Sequence, residues 1–259
     1  MAEIVYPPVI ASARVSFKAM GLKFDVVGSE HVPTSGGAVL ASNHISYLDF
    51  IFDGLAAQPS KRLVRFMAKD SVFSNKISGP LMRGMHHIPV DRAAGAGAFQ
   101  SAIKALQDGE VIGIFPEATI SRSYLIKDLK SGAARLAADA GVPLIPMVTW
   151  GGQRIMSKGT KRSFKRGRTI GITVGAPLYP SKGDDANEVT AQLKQSLEAL
   201  LEVTIARYPD SPSGDADRWW VPAKLGGTAP TLEEAEELDH QDAAAKRARR
   251  AEKSKSRKS

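Results

Sequence analysis

The sequence predicts an α/β fold: a single domain with a mixed, largely parallel six- or seven-stranded sheet flanked by helices, plus an N-terminal amphipathic helix and a C-terminal tail. Three observations carry this reading. Between residues 23 and 208, short β-rich apolar runs alternate with helical patterns, the texture of βαβ units. The 259 residues are 43% apolar and 24% charged, enough to bury one sizeable core. On either side of that span the patterning changes, which sets domain bounds at 23–210.

Taken in order, residues 7–22 (PPVIASARVSFKAMGL) place Val9, Ile10, Ala13, Phe17 and Met20 at helical spacing, with Arg14 and Lys18 four apart. An amphipathic stripe suits a membrane surface or a core face equally, and residues 1–22 are read as a membrane-surface helix. Strands are expected at 24–28, 37–42, 63–68, 87–90, 111–115, 143–149 and 169–174. Helices are expected at 47–57, 96–108, 130–140 and 187–207, the last ending before Pro209. From Ser211 the chain becomes rich in Pro and Gly, interrupted by Trp219 and Trp220, which would fasten it to the domain or to a membrane interface. Residues 231–259 run from an acidic block to a Lys/Arg-rich end without an apolar face of any size. That stretch reads as disordered or as a loose helix touching anionic lipid.

The formal charge of +8 is unevenly placed. Residues 246–259 hold eight Lys or Arg and one Glu, a local +7, so the remaining chain carries only +1. A basic face for duplex nucleic acid is not expected. With no cysteine, disulfides, thiolate metal sites and a cysteine nucleophile are excluded. No window offers the ~18–20 apolar residues of a membrane-spanning helix, and no signal-peptide pattern opens the chain. The expected location is the cytoplasmic face of the membrane, peripheral or monotopic.

The segment ASNHISYLDF puts His44 and Asp49 between a strand pattern and a helical one. On a continuous helix five residues turn ~140° around the axis, so the two meet only if the chain turns between them. With Ser46 as N-cap, Asp49 would enter the first helical turn while His44 stays in the loop beside it. Such a pair lets the Asp hold the imidazole in one tautomer while its other nitrogen takes a proton from a hydroxyl. A capping interaction between Ser46 and Asp49, with a loop histidine nearby, explains the same spacing.

Three further segments bear on that choice. Asn43-His44-Ile45-Ser46-Tyr47-Leu48-Asp49 resembles the first motif of the glycerolipid acyltransferase family, which includes 1-acylglycerol-3-phosphate acyltransferases. Gly84 to Arg92 (GMHHIPVDR) resembles the second motif, Phe115-Pro116-Glu117-Ala118-Thr119 with Arg122-Ser123 the third, and Val142-Pro143-Leu144-Ile145-Pro146 the fourth. All four fall in family order. In the third, Ala118 stands where the family pattern has glycine, and Ile120-Ser121 are inserted before Arg122; a positive φ at residue 118 would be strained for alanine.

The resemblance implies transfer of a fatty acyl group from acyl-CoA or acyl carrier protein to the sn-2 hydroxyl of 1-acylglycerol 3-phosphate, without cofactor or metal. It implies His44 and Asp49 as the catalytic pair with Asn43 and Ser46 in support. Arg92, Glu117, Ala118, Thr119, Arg122 and Lys130 would hold the acceptor and its phosphate, for which cations are the chemical requirement. Glu117 would bind acceptor hydroxyls, orient a basic residue or cap a helix. Seven Lys and Arg lie between Arg154 and Arg168 with no acid among them, suited to lipid headgroups or the phosphates of coenzyme A. Alternative readings are a relative acting on glycerol 3-phosphate or a glycosylated phosphoinositide, and a non-catalytic module that binds anionic membranes.

Overall fold

The structure, a computed structural model, describes residues 3–90 and 95–255. Seven strands form one sheet: β1 (Lys23–Val27), β2 (Ala38–Ser42), β3 (Val64–Lys69), β4 (Ile88–Val90), β5 (Val111–Ile114), β6 (Leu144–Trp150) and β7 (Thr169–Val174). Their order across the sheet is β1-β7-β6-β2-β5-β3-β4, with every neighbouring pair parallel except β6 and β7. The sheet is therefore mixed and largely parallel, and each strand lies within about a residue of its sequence-based position.

Both faces are covered, which is why β2 and β6 are apolar runs with every residue buried rather than alternating. One face carries α5 (Gly95–Gln107), α6 (Gly132–Ala140) and α7 (Ala186–Arg207). In α7, Val189, Leu193, Leu197 and Leu201 form the buried stripe, four residues apart. The other face carries α1 (Tyr6–Ala19) and α2 (Asp49–Ala56). Two short helices, α3 (Asp70–Phe73) and α4 (Ser78–Gly84), fill the connection from β3 to β4; at 4 and 7 residues they are too short to produce a readable period.

α1 packs through Phe17, whose ring meets Phe52 at 5.6 Å, and through Tyr6, whose hydroxyl donates to the Val64 carbonyl at 2.6 Å. Burying a Phe of this kind stabilises by about 2 kcal/mol. The rest of α1 stands off, leaving an apolar groove of ≈ 250 Å³ lined by Tyr6, Val9, Ile10, Phe50, Leu55 and Met82 among others. Ile4 and Val15, before and on α1, and Ile77 and Leu81, before and on α4, are exposed.

The C-terminal segment takes one of the two forms expected for it. Trp220 is buried against Tyr208, with the Arg154 guanidinium 4.3 Å over its ring, so this tryptophan fastens the Pro/Gly-rich stretch to the domain. Leu232–Lys255 then forms a helix, α8, the second of the two alternatives for this stretch. A capping box starts it: the Thr231 N–H donates to Glu234 at 2.8 Å and the Glu234 N–H to the Thr231 hydroxyl at 3.2 Å. Its acids precede its bases, which suits the helix dipole, and Ala235, Leu238, Asp239 and Asp242 turn one narrow stripe toward the domain.

Candidate active site

β2 is the centre of the sheet: β5 and then β3 lie to one side, β6 and β7 to the other. The chain crosses over this strand between β5 and β6, and the C-terminal ends of strands around such a point form the usual crevice for ligands. His44 stands two residues beyond β2, and Phe115 one residue beyond β5. The ring planes of His44 and Phe115 stack at 4.1 Å and 17°.

The first-motif loop turns as the spacing required. Asp49 is fully buried as the first residue of α2, and its Oδ2 accepts from His44 Nδ1 at 3.0 Å and from the N–H groups of Ile45 at 2.7 Å and Ser46 at 2.8 Å. Its Oδ1 accepts from the Thr149 hydroxyl at 3.2 Å. Because an ionised carboxylate only accepts, Nδ1 of His44 carries the proton, and Nε2 is left with its lone pair on a ring that is 20% exposed. Ser46 is not the N-cap: Leu48 holds that position, and the Ser46 hydroxyl donates to the Met156 carbonyl at 2.8 Å while accepting from the Leu48 N–H at 3.1 Å. Capping runs the other way, from Asp49 back onto the loop. Asn43 staples the loop to β6, donating to the Thr149 carbonyl at 3.1 Å and accepting its N–H at 2.8 Å.

The third-motif segment grips the same loop. The Ser121 N–H donates to the His44 carbonyl at 2.7 Å, and the buried Glu117 carboxylate accepts the N–H of His44 at 2.8 Å and that of Lys127 at 3.2 Å. With its backbone partners on both sides satisfied, the His44 turn is held in one arrangement, as a preorganised catalytic group requires.

Comparison with known proteins gives the family. A family model described as Acyltransferase matches residues 23–150. The 1-acyl-sn-glycerol-3-phosphate acyltransferase of Bacillus subtilis is 34% identical over 71% of this chain and 86% of its own. The chain belongs to the glycerolipid acyltransferase family. A chloroplastic 1-acyl-sn-glycerol-3-phosphate acyltransferase of Arabidopsis thaliana is 29% identical over 68% of this chain, which spans about half (49%) of that longer relative. The crystal structure of the 1-acyl-sn-glycerophosphate acyltransferase PlsC from Thermotoga maritima shares the fold, with a TM-score of 0.64 at 20% identity over 79% of this chain and 81% of that one.

Within this acyltransferase the other sequence-based candidates separate. Arg92 lies outside the described residues. Lys130 is exposed ahead of α6, its N–H donating to the Pro116 carbonyl at 2.9 Å. Arg122 turns instead toward α8, its Nε 3.2 Å from Asp239 and Nη2 2.5 Å from Asp242. It passes so close to Gly159 that a Cβ there would lie 2.2 Å from Nη1 and displace it, and φ at that residue is +79°, a conformation that favours glycine. Lys127 Nζ donates to the Thr119 hydroxyl and to Asp239, both at 2.8 Å, and Lys158 also pairs with Asp239. Burial alone would raise the Asp239 pKa, but the hydrogen bonds from Lys127 and Lys158 bring it down to about 2. Sequence reasoning missed Lys127 as a site residue and placed Lys158 only within a basic run, because the contacts that unite them join segments far apart in the chain.

Glu117 is buried, and each of its oxygens accepts a backbone N–H group. Burial raises its pKa from 4.5 to about 8 against the pull of those two donors. The folded protein therefore keeps a proton that the unfolded chain has released between pH 4.5 and about 8, and stability from this group falls as pH rises through that window. Glu117→Gln, permanently neutral but with its NH2 set against one of the two N–H donors, should melt below wild type near pH 5, and the difference should move in its favour as pH rises toward about 9. A melting-temperature difference that does not change with pH would refute this.

Ala118 adopts φ +60° on an exposed turn, closed by its N–H on the Phe115 carbonyl at 3.0 Å. The left-handed region costs an L-residue roughly 1–2 kcal/mol, and glycine gives back about 0.4–1 kcal/mol through its freer unfolded chain. Ala118→Gly should therefore stabilise by about 0.5–1 kcal/mol, readable in denaturant midpoint at constant slope. A lower midpoint would show that the turn is not strained.

A further carboxyl escaped the sequence reading. Asp53, one helical turn after Asp49, is buried and accepts from the Ser42 hydroxyl at 3.1 Å. Burial first, and the Asp49 charge second, push its pKa well above the carboxylate range, so a neutral acid sits beside the charged one. An acid inside the apolar run FIFDGLA was the available signal.

Proposed function

We propose that this protein transfers a fatty acyl group from acyl-CoA or acyl carrier protein to the sn-2 hydroxyl of 1-acylglycerol 3-phosphate, giving phosphatidic acid. The observation that carries the reading is the His44–Asp49 pair at the sheet's ligand-binding edge, with Nδ1 committed to the carboxylate and Nε2 left as a base. The curated relatives named for this reaction support the acceptor.

In this mechanism His44 Nε2 takes the proton of the acceptor hydroxyl as its oxygen attacks the thioester carbonyl carbon. Asp49 stabilises the imidazolium that forms. The carbon–sulfur bond then breaks, the ester remains, and the departing thiolate takes the proton from His44. No acyl-enzyme is required. The apolar groove beside α2, the helix that Asp49 begins, is suited to an acyl chain. Exposed Ile4, Val15, Ile77 and Leu81 suit contact with a membrane surface, and among the described residues no helix is long and apolar enough to cross one.

Purified protein assayed with lysophosphatidic acid and a panel of acyl-CoA and acyl carrier protein thioesters tests the reading. Phosphatidic acid with release of free thiol is the expected product. Transfer to glycerol 3-phosphate in preference, or no transfer from any thioester, would overturn it.

A further inference from the structure

Three cations, two from the loop after β5 and one from the loop after β6, converge at one point beside the His44 turn. Arg122, Lys127 and Lys158 have side chains only 12%, 12% and 17% exposed, and all three point at the carboxylate of Asp239 on α8. Arg122 and Lys158 meet its Oδ1, and Lys127 meets its Oδ2 at 2.8 Å. The Thr119 hydroxyl lies 3.5 Å from the same Oδ2. The cluster is tied to the catalytic histidine, because one carboxylate, Glu117, accepts the backbone N–H of both His44 and Lys127.

Three half-sequestered cations of like charge cannot be left without an anion at that depth. α8 answers them with two carboxylates, Asp239 and Asp242, the Oδ2 of the latter lying 2.5 Å from Arg122 Nη2 and 3.5 Å from Lys158 Nζ, so three cations share two separately held anions. A phosphomonoester offers three acceptor oxygens and a charge of about −1.5 to −2, matching the three donors one to one. α8 is held by little else: along its described length Ala235 is buried, Leu238 is half-buried, and the residues from Ala243 to Arg249 are exposed.

We propose that Lys127 and Lys158, with Arg122 and the Thr119 hydroxyl, form the clamp for the acceptor's phosphomonoester, and that Asp239 of α8 occupies this clamp until the phosphate displaces it. The proposal rests on the acceptor reading above and adds to it the residues that hold the phosphate and the helix that competes for them. α8 is thus a tethered carboxylate competitor, and the acceptor binds only to the fraction of molecules in which the clamp is open.

Two measurements on the full chain test it. In kinetics, Asp239→Asn should lower the KM for lysophosphatidic acid about fivefold to tenfold by raising the open fraction, with a much smaller change in kcat. Lys158→Met should raise that KM about tenfold or more, with Lys158→Arg recovering most of the loss. In hydrogen exchange on the wild type, inorganic phosphate should speed exchange of the α8 amides, while chloride at matched ionic strength should not.

An active enzyme whose acceptor KM ignores Asp239→Asn and Lys158→Met, and whose α8 exchange ignores phosphate, overturns the clamp and leaves the acyltransferase reading standing. Phosphate-dependent opening in a protein that acylates no lysophosphatidic acid supports the clamp and overturns that acceptor instead.

Discussion

Replacing His44 with alanine is expected to lower turnover on the order of 10²–10⁴-fold, the usual contribution of a positioned general base. The loss should fall on kcat more than on KM, because Nε2 acts on the hydroxyl in the transition state and little in the ground state. Folding should survive. The ring is partly exposed and its main packing is the 4.1 Å stack on Phe115, worth about 0.5–1.5 kcal/mol. Asp49 would keep three of its four donors: the Ile45 and Ser46 N–H groups and the Thr149 hydroxyl. Melting temperature and turnover should therefore be measured on the same preparation. A folded His44→Ala protein turning over within about tenfold of wild type would exclude His44 as the base.

What the amino-acid sequence reveals of this molecule follows the range of the interactions involved. The seven strands were legible because a parallel sheet covered on both faces demands continuous apolar runs, as in Ala38–Ser42 and Leu144–Trp150. α7 was legible because its buried stripe repeats every four residues from Val189 to Leu201. α3 and α4 were not, being shorter than the period needed to detect them. α8 was legible only as one of two alternatives, a loose helix or disorder, because it has almost no apolar face; its local signature, Thr231 followed three residues later by Glu234, was present but carried no core to dock on.

The site divides in the same way. The pairing of His44 with Asp49 lies within five residues and needs only a turn, so residue types and spacing sufficed to suggest it. The clamp assembles Thr119, Arg122 and Lys127 with Lys158 and Asp239, contacts that span up to 120 positions in the chain. No local pattern encodes them. The two backbone N–H partners of Glu117, on His44 and Lys127, were not legible in the sequence, since nothing in the residues beside a carboxyl tells which N–H groups the fold brings to it. Ala118 was the clearest local conflict, and the chain resolves it by accepting the positive φ.

Asp49 should separate fold from catalysis when it is replaced in two ways. Asp49→Ala deletes the acceptor for four buried donors, two of them backbone N–H groups that have no route to solvent. Losing one partner of a buried charged network costs about 3–5 kcal/mol, so this variant should unfold at much lower denaturant or fail to accumulate. Asp49→Asn is nearly the same shape. Its amide oxygen can take the Oδ2 position toward His44, Ile45 and Ser46, and its NH2 can donate to the Thr149 oxygen, whose hydroxyl is free to rotate and accept. The loop should keep its geometry and the protein most of its stability. Without the negative charge, however, nothing stabilises the imidazolium, and turnover should drop on the order of 10²-fold or more. The informative comparison is therefore Asp49→Asn, by melting temperature and kcat together. A stable Asp49→Asn enzyme with near-native kcat would reduce Asp49 to a structural cap for the turn and remove it from the reaction.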